Sequence, residues 1–427
     1  MGYNFFNIIR LKDNIKMKQK LSSFVNSLGS AISDGKKISF ADNDISYVLE
    51  LQHNRIKDKG LDMEYEVYDR DSTRDATIGS QWQDTRYESF VCSEQYGVKR
   101  KISKAGRIMY SDKKRNILYT TITDVISGVH PDDEIVSCPN CGNVNTIAQI
   151  QGGCPYCGTV YKMDDLFPKV TGYHFMEDVA VAGNEHKIGM ALSILITVIV
   201  LQMIMFIAAL VRGEAFEIET ILASVLMIPL GALFGYFFYG IFLLVRLFSI
   251  GPRQSAGKWG TIGSRKNFEQ RMKAISPEFS FEYFTSKATS LIKTAVYAPN
   301  EQDLMFYKGQ PLDPQFKNII DMNYGGALGL ADFRDEYGKV VVTTDAFFDV
   351  LYAEGDSIVN RREVFKAVFQ RRTDIPVNMQ FSMAMIQCPS CGSSFNAIKN
   401  KYCPYCGTEY NIESQDWILT ELCRKYA

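Results

Sequence analysis

Residues 188–211 read IGMALSILITVIVLQMIMFIAALV, and residues 221–245 read ILASVLMIPLGALFGYFFYGIFLLV. Neither stretch contains a charged side chain. At about 1.5 Å of rise per residue, each would form a helix roughly 36 Å long, which crosses a hydrocarbon core of about 30 Å with some tilt. A buried helix of a soluble protein rarely stays uncharged over such a length. The two stretches therefore predict two transmembrane helices.

The linker between these stretches, residues 212–220, is short enough to force an antiparallel hairpin over 188–245. It contains one basic residue, Arg212, and three glutamates. The flanks of the hairpin are richer in basic residues: Lys169, Lys187, Arg246, Arg253, Lys258, Arg265 and Lys266. This asymmetry predicts a multi-pass membrane protein with both termini in the cytoplasm. Because the start of the chain lacks an acidic-poor, Ser-rich transit segment, we expect a bacterial plasma membrane.

Gly231 and Gly235 form a GxxxG pattern in the second stretch. Small residues at this spacing let helix backbones approach closely, and the approaching helix is either the first stretch or a second copy of the chain in a homo-oligomer. A transporter or proton relay normally needs a charged residue inside the membrane, which both stretches lack. The hairpin is therefore predicted to be an anchor.

The strongest chemical signal is a cysteine pattern that occurs twice. Residues 138–159 read CPNCGNVNTIAQIQGGCPYCGT, and residues 388–408 read CPSCGSSFNAIKNKYCPYCGT. Each copy offers four thiolates from two tight turns, which is what a tetrahedral zinc ion requires. Both copies resemble zinc ribbons of the CPxCG type, here called the first ribbon (138–160) and the second ribbon (387–411). The predicted ligands are Cys138, Cys141, Cys154, Cys157, Cys388, Cys391, Cys403 and Cys406.

Four cysteines complete a tetrahedral shell, so we predict two structural Zn²⁺ ions rather than catalytic ones. Glycine after the second cysteine of each pair permits the positive φ that such a turn needs. Iron is the alternative metal, because tetrahedral sulfur sites accept either ion. Disulfides are disfavoured by a reducing cytoplasm. The two other cysteines, Cys92 and Cys423, stand alone and are interpreted as inert thiols.

The C-terminal part changes from helical to strand-like patterns. Apolar residues recur at helical spacing over 281–296, which predicts one long amphipathic helix. We also predict two short helical pieces, over 301–307 and 314–322. Four strands are predicted over 339–352, 359–371, 377–387 and 416–422. Helices followed by an antiparallel sheet predict an α+β fold in which the long helix covers the sheet.

Three short patterns resemble the Tim44-like domain, a relative of the cone-shaped NTF2-like folds. They are the opening Ser276-Pro277-Glu278-Phe279, the segment Glu363-Val364-Phe365 with Phe369, and the closing Trp417-Ile418-Leu419. The resemblance covers 276–427, with the second ribbon inserted before the last strand. It implies a membrane-associated scaffold that contacts acidic lipid, and it implies no catalysis.

The juxtamembrane segment 246–275 is basic. An aromatic side chain among Lys and Arg favours anionic lipid headgroups, although the same charges also serve to fix the orientation of the hairpin. The predicted lipid-binding residues are Arg253, Lys258, Trp259, Arg265, Lys266, Arg271 and Lys273.

The N-terminal part matches no pattern of a known family. Residues 1–36 have apolar and basic residues at imperfect helical spacing, which indicates an amphipathic helix that lies on the membrane or packs on the rest of the protein. Residues 37–137 are predicted to be β-rich, with a polar loop over 69–84. The predicted strands are 45–51, 63–68, 87–92, 106–110 and 117–126.

Catalytic signatures such as GxxxxGK[ST], GxSxG and HExxH are absent from the sequence, so we predict no enzyme. The leading hypothesis is a membrane-anchored scaffold in which two cytoplasmic domains engage protein partners and anionic lipid. A nucleic-acid-contacting module is disfavoured, because the net charge is −1 and residues 143–153 contain no Lys or Arg. The third hypothesis is a small-molecule enzyme whose pocket is lined by Asp303, Asp321 or Tyr324.

Overall fold

The structure is a computed structural model that describes most of the chain. The residues outside the description are 1–14, 71–76, 84–86, 126–131, 139, 151–152, 160–165, 167, 179–183, 214–217, 256–258, 278, 376–383 and 426–427. Most of the strand predicted over 377–387 therefore lies outside the described residues. The chain forms two compact units, of which one is 178–256 and the other combines the residues before and after it. The parts predicted as separate domains, 37–137 and 276–427, thus share one unit.

Two helices open the N-terminal half of this unit: α1 (Ile15–Asp34) and α2 (Asn43–Asp58). In α1 the side chains of Leu21, Phe24 and Leu28 are buried, so the described part of this helix packs on the protein rather than on a membrane. Helix α2 replaces the strand predicted over 45–51, and that prediction was wrong. The missed signal is Asp42, which caps the helix by accepting a hydrogen bond from Ile45 N at 2.7 Å.

The first sheet has the strand order β1-β3-β4-β7, with β2 beside β3. Two further short strands, β5 and β6, pair with each other at the start of the first ribbon, and the short helix α3 follows β6 within the ribbon. The strands and helix are β1 (Asp62–Asp69), β2 (Thr77–Gln83), β3 (Tyr87–Lys104), β4 (Arg107–Val125), β5 (Ile135–Ser137), β6 (Val144–Thr146), α3 (Ile147–Ile150) and β7 (Lys169–Glu177). The segment predicted as a polar loop contains β2. The strands predicted over 106–110 and 117–126 are one strand, β4.

The helix α4 (Asn184–Arg212) and the helix α5 (Ile218–Ser255) form the second unit, described below. The C-terminal half then begins with α6 (Trp259–Ile275) and α7 (Phe281–Tyr297), so the predicted basic linker is largely helical. Its sheet has the order β8-β9-β10-β13. The strands of this sheet are β8 (Ile319–Glu336), β9 (Lys339–Glu354), β10 (Ser357–Arg372) and β13 (Ile418–Lys425). Two short strands, β11 (Ile386–Gln387) and β12 (Ser394–Phe395), pair only with each other among the described strands.

The structure corrects two predicted helical pieces in this half. The piece over 301–307 is a single 3₁₀ turn, Glu301–Asp303, and the piece over 314–322 is the 3₁₀ turn Pro314–Asn318 followed directly by β8. Strand β8 was missed because its sequence contains Gly325, Gly326 and Gly329, which weaken the alternating pattern of a strand. The register of β8 on β9 shifts between Tyr324 and Leu328, where these glycines begin. The long helix and the strands over 339–352 and 359–371 are confirmed.

Apart from β2, which has no counterpart among the described elements of the second half, the two halves have the same order of elements. In each, two helices precede three antiparallel strands that pair in sequence, a ribbon follows the third of these strands, and a further strand pairs with that third strand. Strands β1, β3, β4 and β7 correspond in this way to β8, β9, β10 and β13, and helices α1 and α2 correspond to α6 and α7. At the level of topology the unit is therefore an internal repeat, with the hairpin inserted between its two copies.

The long helix α7 packs on the second sheet, as the α+β prediction requires. The Phe284 ring lies 4.9 Å from the Trp417 ring and 5.6 Å from the Phe369 ring, centroid to centroid. The same core contains Tyr47, Val48 and Leu51 of α2, so helices of both halves share it. The hydrophobic core therefore joins the halves instead of separating them.

Polar contacts also cross between the halves. The side chain of Asn323 on β8 donates to Phe175 O at 2.6 Å through Nδ2 and accepts from Phe175 N at 3.0 Å through Oδ1, so it bonds to both backbone groups of one residue of β7. Buried Arg100 on β3 lies 2.6 Å from Asp321 on β8, and Gln52 donates to the same carboxylate at 2.9 Å. Removing one partner of such a pair would leave a buried charge, so these contacts fix how the halves dock.

The second unit is a hairpin of α4 and α5. Its two apolar segments, His186–Arg212 and Ile221–Val245, are long enough to cross a membrane. In the most apolar part of each segment, only 6% and 11% of the residues are buried. The core helix of a soluble protein would be mostly buried instead. Side-chain hydrogen bonds connect the helices, from Ser193 Oγ to Gly235 O at 2.9 Å and from Gln202 Nε2 to Ser224 O at 2.8 Å.

The glycines of the GxxxG pattern face the first helix of the same hairpin. A Cβ atom at Gly235 would lie 2.5 Å from Ile194 Cα, and one at Gly231 would lie 3.2 Å from Val198 Cα. The helices could not come this close with larger side chains. Of the two predicted roles for these glycines, packing against the first stretch is the one present in this chain.

Candidate metal centres

Each ribbon is built from two tight cysteine turns with the same backbone hydrogen bonds. In every turn, the amide of the glycine after the second cysteine donates to the carbonyl of the first cysteine at 2.8–2.9 Å. The glycines adopt φ values between 71° and 74°, which confirms the predicted reason for glycine at Gly142, Gly158, Gly392 and Gly407. The turns place both cysteines of a pair on one side of the loop.

The four sulfurs of each ribbon converge. In both groups all sulfurs lie within 4.8 Å of one another. Facing pairs are closer: Cys138 to Cys157 and Cys388 to Cys406 are 3.6 Å apart, and Cys391 to Cys403 are 3.7 Å apart. A tetrahedron with zinc–sulfur distances of about 2.3 Å has edges of about 3.8 Å. The eight predicted ligands therefore form two groups of the size that a tetrahedral metal ion needs.

A threonine of the repeated CGT sequence contacts the last cysteine of each ribbon. Thr159 Oγ1 lies 3.2 Å from Cys157 Sγ, and Thr408 Oγ1 lies 3.2 Å from Cys406 Sγ. These hydroxyls lower the pKa of both cysteines to about 6. Thiolates are the metal-binding form of cysteine, so the threonines favour metal binding. The sequence carried this signal as a threonine at the same place in both copies.

The two ribbons contact one another at equivalent positions. Val144 and Ser394 each lie six residues after the first cysteine of their ribbon. Ser394 Oγ accepts from Val144 N at 2.7 Å and donates to Val144 O at 3.1 Å. The second ribbon also contacts the other half, because Lys399 lies over the Tyr47 ring of α2. Within its own half, the ribbon accepts a hydrogen bond at Ile398 O from Met305 N at 2.8 Å.

The two cysteines outside the ribbons stay apart from them. Cys92 on β3 is fully buried, and burial raises the pKa of its thiol to about 12. Burial also raises the pKa of Cys423 on β13. A high pKa keeps both sulfurs protonated, which agrees with the interpretation that they are inert thiols.

The predicted lipid-binding residues are distributed over α5 and α6. Arg265 pairs with Glu269 at 3.0 Å and with Glu282, and its guanidinium lies over the Phe281 ring. Arg271 similarly lies over the Phe333 ring. Exposed positions on the same helix are Lys266 and Lys273. Lys258 and the side chains of Arg253 and Trp259 lie outside the described part of the structure.

The residues named for an enzyme pocket are not brought together. Asp303 is exposed, and Asp321 is used by the ion pair with Arg100. Tyr324 packs in the core with its ring 5.1 Å from the His174 ring and 5.8 Å from the Phe348 ring. A cleft between the halves, lined by residues of α2, β7 and α7 and by Val144, encloses about 50 Å³. That volume holds a few water molecules.

A buried ion cluster borders this cleft and was not found in the sequence. The ammonium of Lys287 on α7 lies 2.7 Å from Asp44 of α2 and 3.4 Å from Asp416, and all three side chains are at least nine-tenths buried. Neighbouring carboxylates hold the pKa of Lys287 above its usual value although burial opposes this. Its position indicates a role in docking the halves.

Comparison with known proteins adds no family to this description. No protein-family model, no curated protein and no solved structure matches the chain.

Proposed function

We propose that this protein is a membrane-anchored scaffold that is stabilised by two zinc ions and engages protein partners and anionic lipid. The observation that carries the proposal is the hairpin, because few side chains of its long apolar helices are buried. Such a surface is stable in lipid and not in water. The Tim44-like resemblance of 276–427 supplies the scaffold role.

Zinc is proposed for the cysteine groups on chemical grounds. Eight thiolates in two closed tetrahedral groups suit Zn²⁺ and leave no open position for a substrate. The ribbons contact one another and both halves, so metal binding would hold the two halves in register. This favours a structural role for both ions.

A binding role is supported further by how the charged residues are used. The buried acids Asp44, Asp321 and Asp416 pair with Lys287 or Arg100 between the halves. Acids engaged in this way are not poised for acid–base chemistry on a ligand. The cleft between the halves is also smaller than the roughly 300 Å³ at which pockets for small molecules begin.

Anionic lipid contact is proposed for the exposed lysines of α6, Lys266 and Lys273. Each basic residue near an anionic surface contributes about 1 kcal/mol to binding. The arginines of the same helix, Arg265 and Arg271, already contact acidic or aromatic side chains of the protein. They are therefore expected to contribute less to lipid contact than the two lysines.

The first experiment is capture of partners by the full-length protein. The tagged chain is crosslinked in native membranes, extracted in mild detergent and analysed by mass spectrometry, beside a Cys388→Ser/Cys391→Ser variant. We expect reproducible protein partners that are lost in the variant. An empty eluate from folded protein would contradict the scaffold role.

A second experiment tests lipid contact separately. The full-length protein is reconstituted in nanodiscs with and without anionic lipid, and the retained lipids are counted by native mass spectrometry. Lys266→Gln/Lys273→Gln is expected to retain fewer anionic lipids, and Lys339→Gln on β9 is the control. Equal retention by all three proteins would remove the lipid part of the proposal.

A further inference from the structure

The two ribbons share their backbone but differ in the side chains around their sulfurs. Counted from the first cysteine, Asn140 and Asn145 of the first ribbon correspond to Ser390 and Phe395 of the second. Phenylalanine has no hydrogen to donate to a sulfur, and serine is too short to replace the amide of asparagine without a shift of the backbone. The difference therefore changes which donors can reach the metal ligands.

In the first ribbon, two amides donate to sulfurs. Asn140 Nδ2 donates to Thr159 Oγ1 at 3.0 Å and also lies 3.8 Å from Cys157 Sγ. Asn145 Nδ2 donates to Asn143 O at 3.1 Å and also lies 3.9 Å from Cys154 Sγ. Asn145 is almost fully buried, so its amide is not shared with bulk water. Hydrogen bonds to a ligand atom orient it and stabilise its charge, and such outer contacts typically change metal affinity by about 10–100-fold.

A cation also lies beside the first ribbon. Lys37 Nζ donates to Asn140 O at 3.1 Å, and the ammonium interacts electrostatically with Cys138, Cys141 and Cys157. A zinc ion with four thiolates carries a net charge of about −2. A nearby ammonium stabilises that charge and makes protonation of the sulfurs, the step that releases the metal, less favourable.

At the positions that correspond to Asn140 and Asn145 the second ribbon carries Ser390 and Phe395, so no asparagine amide donates to its sulfurs from there. The hydroxyl of Thr408 lies 3.2 Å from Cys406 Sγ, as that of Thr159 does from Cys157 Sγ in the first ribbon, so this contact does not distinguish the two sites. Its own lysines are used elsewhere, because Lys399 lies over the Tyr47 ring and Lys401 pairs with Glu409 at 3.0 Å. The thiolate charge of the second ribbon is thus offset less.

We propose that the two metal sites are unequal, so that a chelator removes the metal of the second ribbon before that of the first. The inference rests on the proposed occupancy by zinc. It gives the second ribbon a distinct role, because this ribbon shares a hydrophobic core with α2 and Lys399 lies over the Tyr47 ring. Loss of its metal would loosen the contact between the halves while the first ribbon stays intact.

The test uses full-length protein purified in mild detergent. Total zinc is first measured by atomic mass spectrometry, and zinc release into excess chelator is then followed with time. Cysteines that become free are alkylated in short pulses and identified by peptide mass spectrometry. We expect two zinc ions per chain, released in two phases whose rates differ about tenfold or more, with alkylation at Cys388–Cys406 first.

Exchange of the differing residues provides matched variants. Lys37→Gln/Asn140→Ser is expected to accelerate release from the first ribbon about tenfold without changing the second. Ser390→Asn is expected to slow release from the second ribbon. Two zinc ions that leave at one rate, or earlier alkylation of the first ribbon, would overturn the inference alone. A zinc content near zero would instead overturn the proposed occupancy and the inference with it.

Discussion

The Lys287 ammonium on α7 is buried between two carboxylates, Asp44 and Asp416, and it connects the two halves. Lys287→Met would leave both carboxylates buried without their cation. We expect a loss of about 3–5 kcal/mol in the free energy of unfolding, which is typical when one partner of a buried ion pair is removed. The measurement is chemical denaturation of the full-length protein in detergent.

Lys266→Met is the control for this prediction, because the side chain of Lys266 is exposed on α6. We expect it to change stability by less than about 0.5 kcal/mol. The triple variant Lys287→Met/Asp44→Asn/Asp416→Asn should regain part of the loss, since it removes the unpaired charges. Equal stability of Lys287→Met and the wild type would contradict the role assigned to the cluster.

The Asp42 carboxyl is expected to make the stability of the folded protein depend on pH. Burial raises its pKa from an ordinary 3.8 to about 7, with the carboxylate of Asp44 adding to the effect. Between about pH 4 and pH 7 the folded state therefore keeps a proton that the unfolded state releases, and stability falls as pH rises. Asparagine caps a helix as well as aspartate does, so Asp42→Asn should reduce this slope without loss of the cap.

Thermal unfolding at pH values from 4.5 to 8 would check this expectation. A slope in Asp42→Asn equal to that of the wild type would show that Asp42 does not retain the proton. Asp34→Asn serves as a control, because Asp34 ends α1 with a solvent-exposed carboxylate.

The two cysteine groups could be predicted from the sequence, because the chemistry of turns and of metal-binding cysteine pairs is local. Cysteine pairs and the glycines after them determine a tight turn wherever it occurs. The ion cluster could not be predicted, because Lys287 lies 243 positions from Asp44. Sequence spacing carries no information on partners that only packing brings together.

At the scale of elements, the close approach of α4 and α5 depends on Gly235. A Cβ at this position would lie 2.5 Å from the Ile194 backbone, so Gly235→Leu should force the helices apart. We expect a lower thermal stability of the hairpin in detergent. Gly240→Leu is the matched control, because a Cβ at Gly240 meets no atom within 4 Å.

The same variants distinguish the two roles that the sequence allowed for the GxxxG pattern. If a second copy of the chain used these glycines, Gly235→Leu would change the mass of the crosslinked oligomer and leave hairpin stability as it is. The hydrogen bond from Ser193 Oγ to Gly235 O lies within one hairpin, so we expect Gly235→Leu to destabilise the hairpin rather than to change the oligomer.

Elements with a strong, uninterrupted period were predicted well. The two apolar stretches, α7, β9 and β10 are confirmed in type and nearly in extent. Elements with a mixed pattern were predicted wrongly or missed. In α2 the apolar residues alternate as they would in a strand. In β8 the glycines interrupt the alternation that would indicate a strand. In both cases contacts with the other half, such as Gln52 on Asp321, stabilise the element that local pattern leaves undecided.

At the scale of the whole molecule, the ribbon–ribbon contact through Ser394 and Val144 tests how the halves are joined. Ser394→Val would leave the amide and carbonyl of Val144 without their partner. An unsatisfied buried backbone group costs about 1–3 kcal/mol. We expect faster hydrogen exchange at the Val144 amide and a lower unfolding midpoint, with both zinc sites intact.

Ser357→Ala is the control for that experiment, because its hydroxyl bonds to a local carbonyl in an exposed turn. A Val144 amide that exchanges equally slowly in Ser394→Val and the wild type would show that the ribbons do not depend on this contact.

The sequence by itself determined the hairpin, the two groups of four cysteines with their turns, and the long helix with most of its sheet, since each follows from composition or spacing within a short window. Only the tertiary structure decided that the parts before and after the hairpin form one unit with a repeated topology. The physical reason is that this docking depends on contacts such as Asn323 with Phe175, Lys287 with Asp44 and Ser394 with Val144. Each joins residues that lie more than a hundred positions apart, and no local pattern records which pairs will meet.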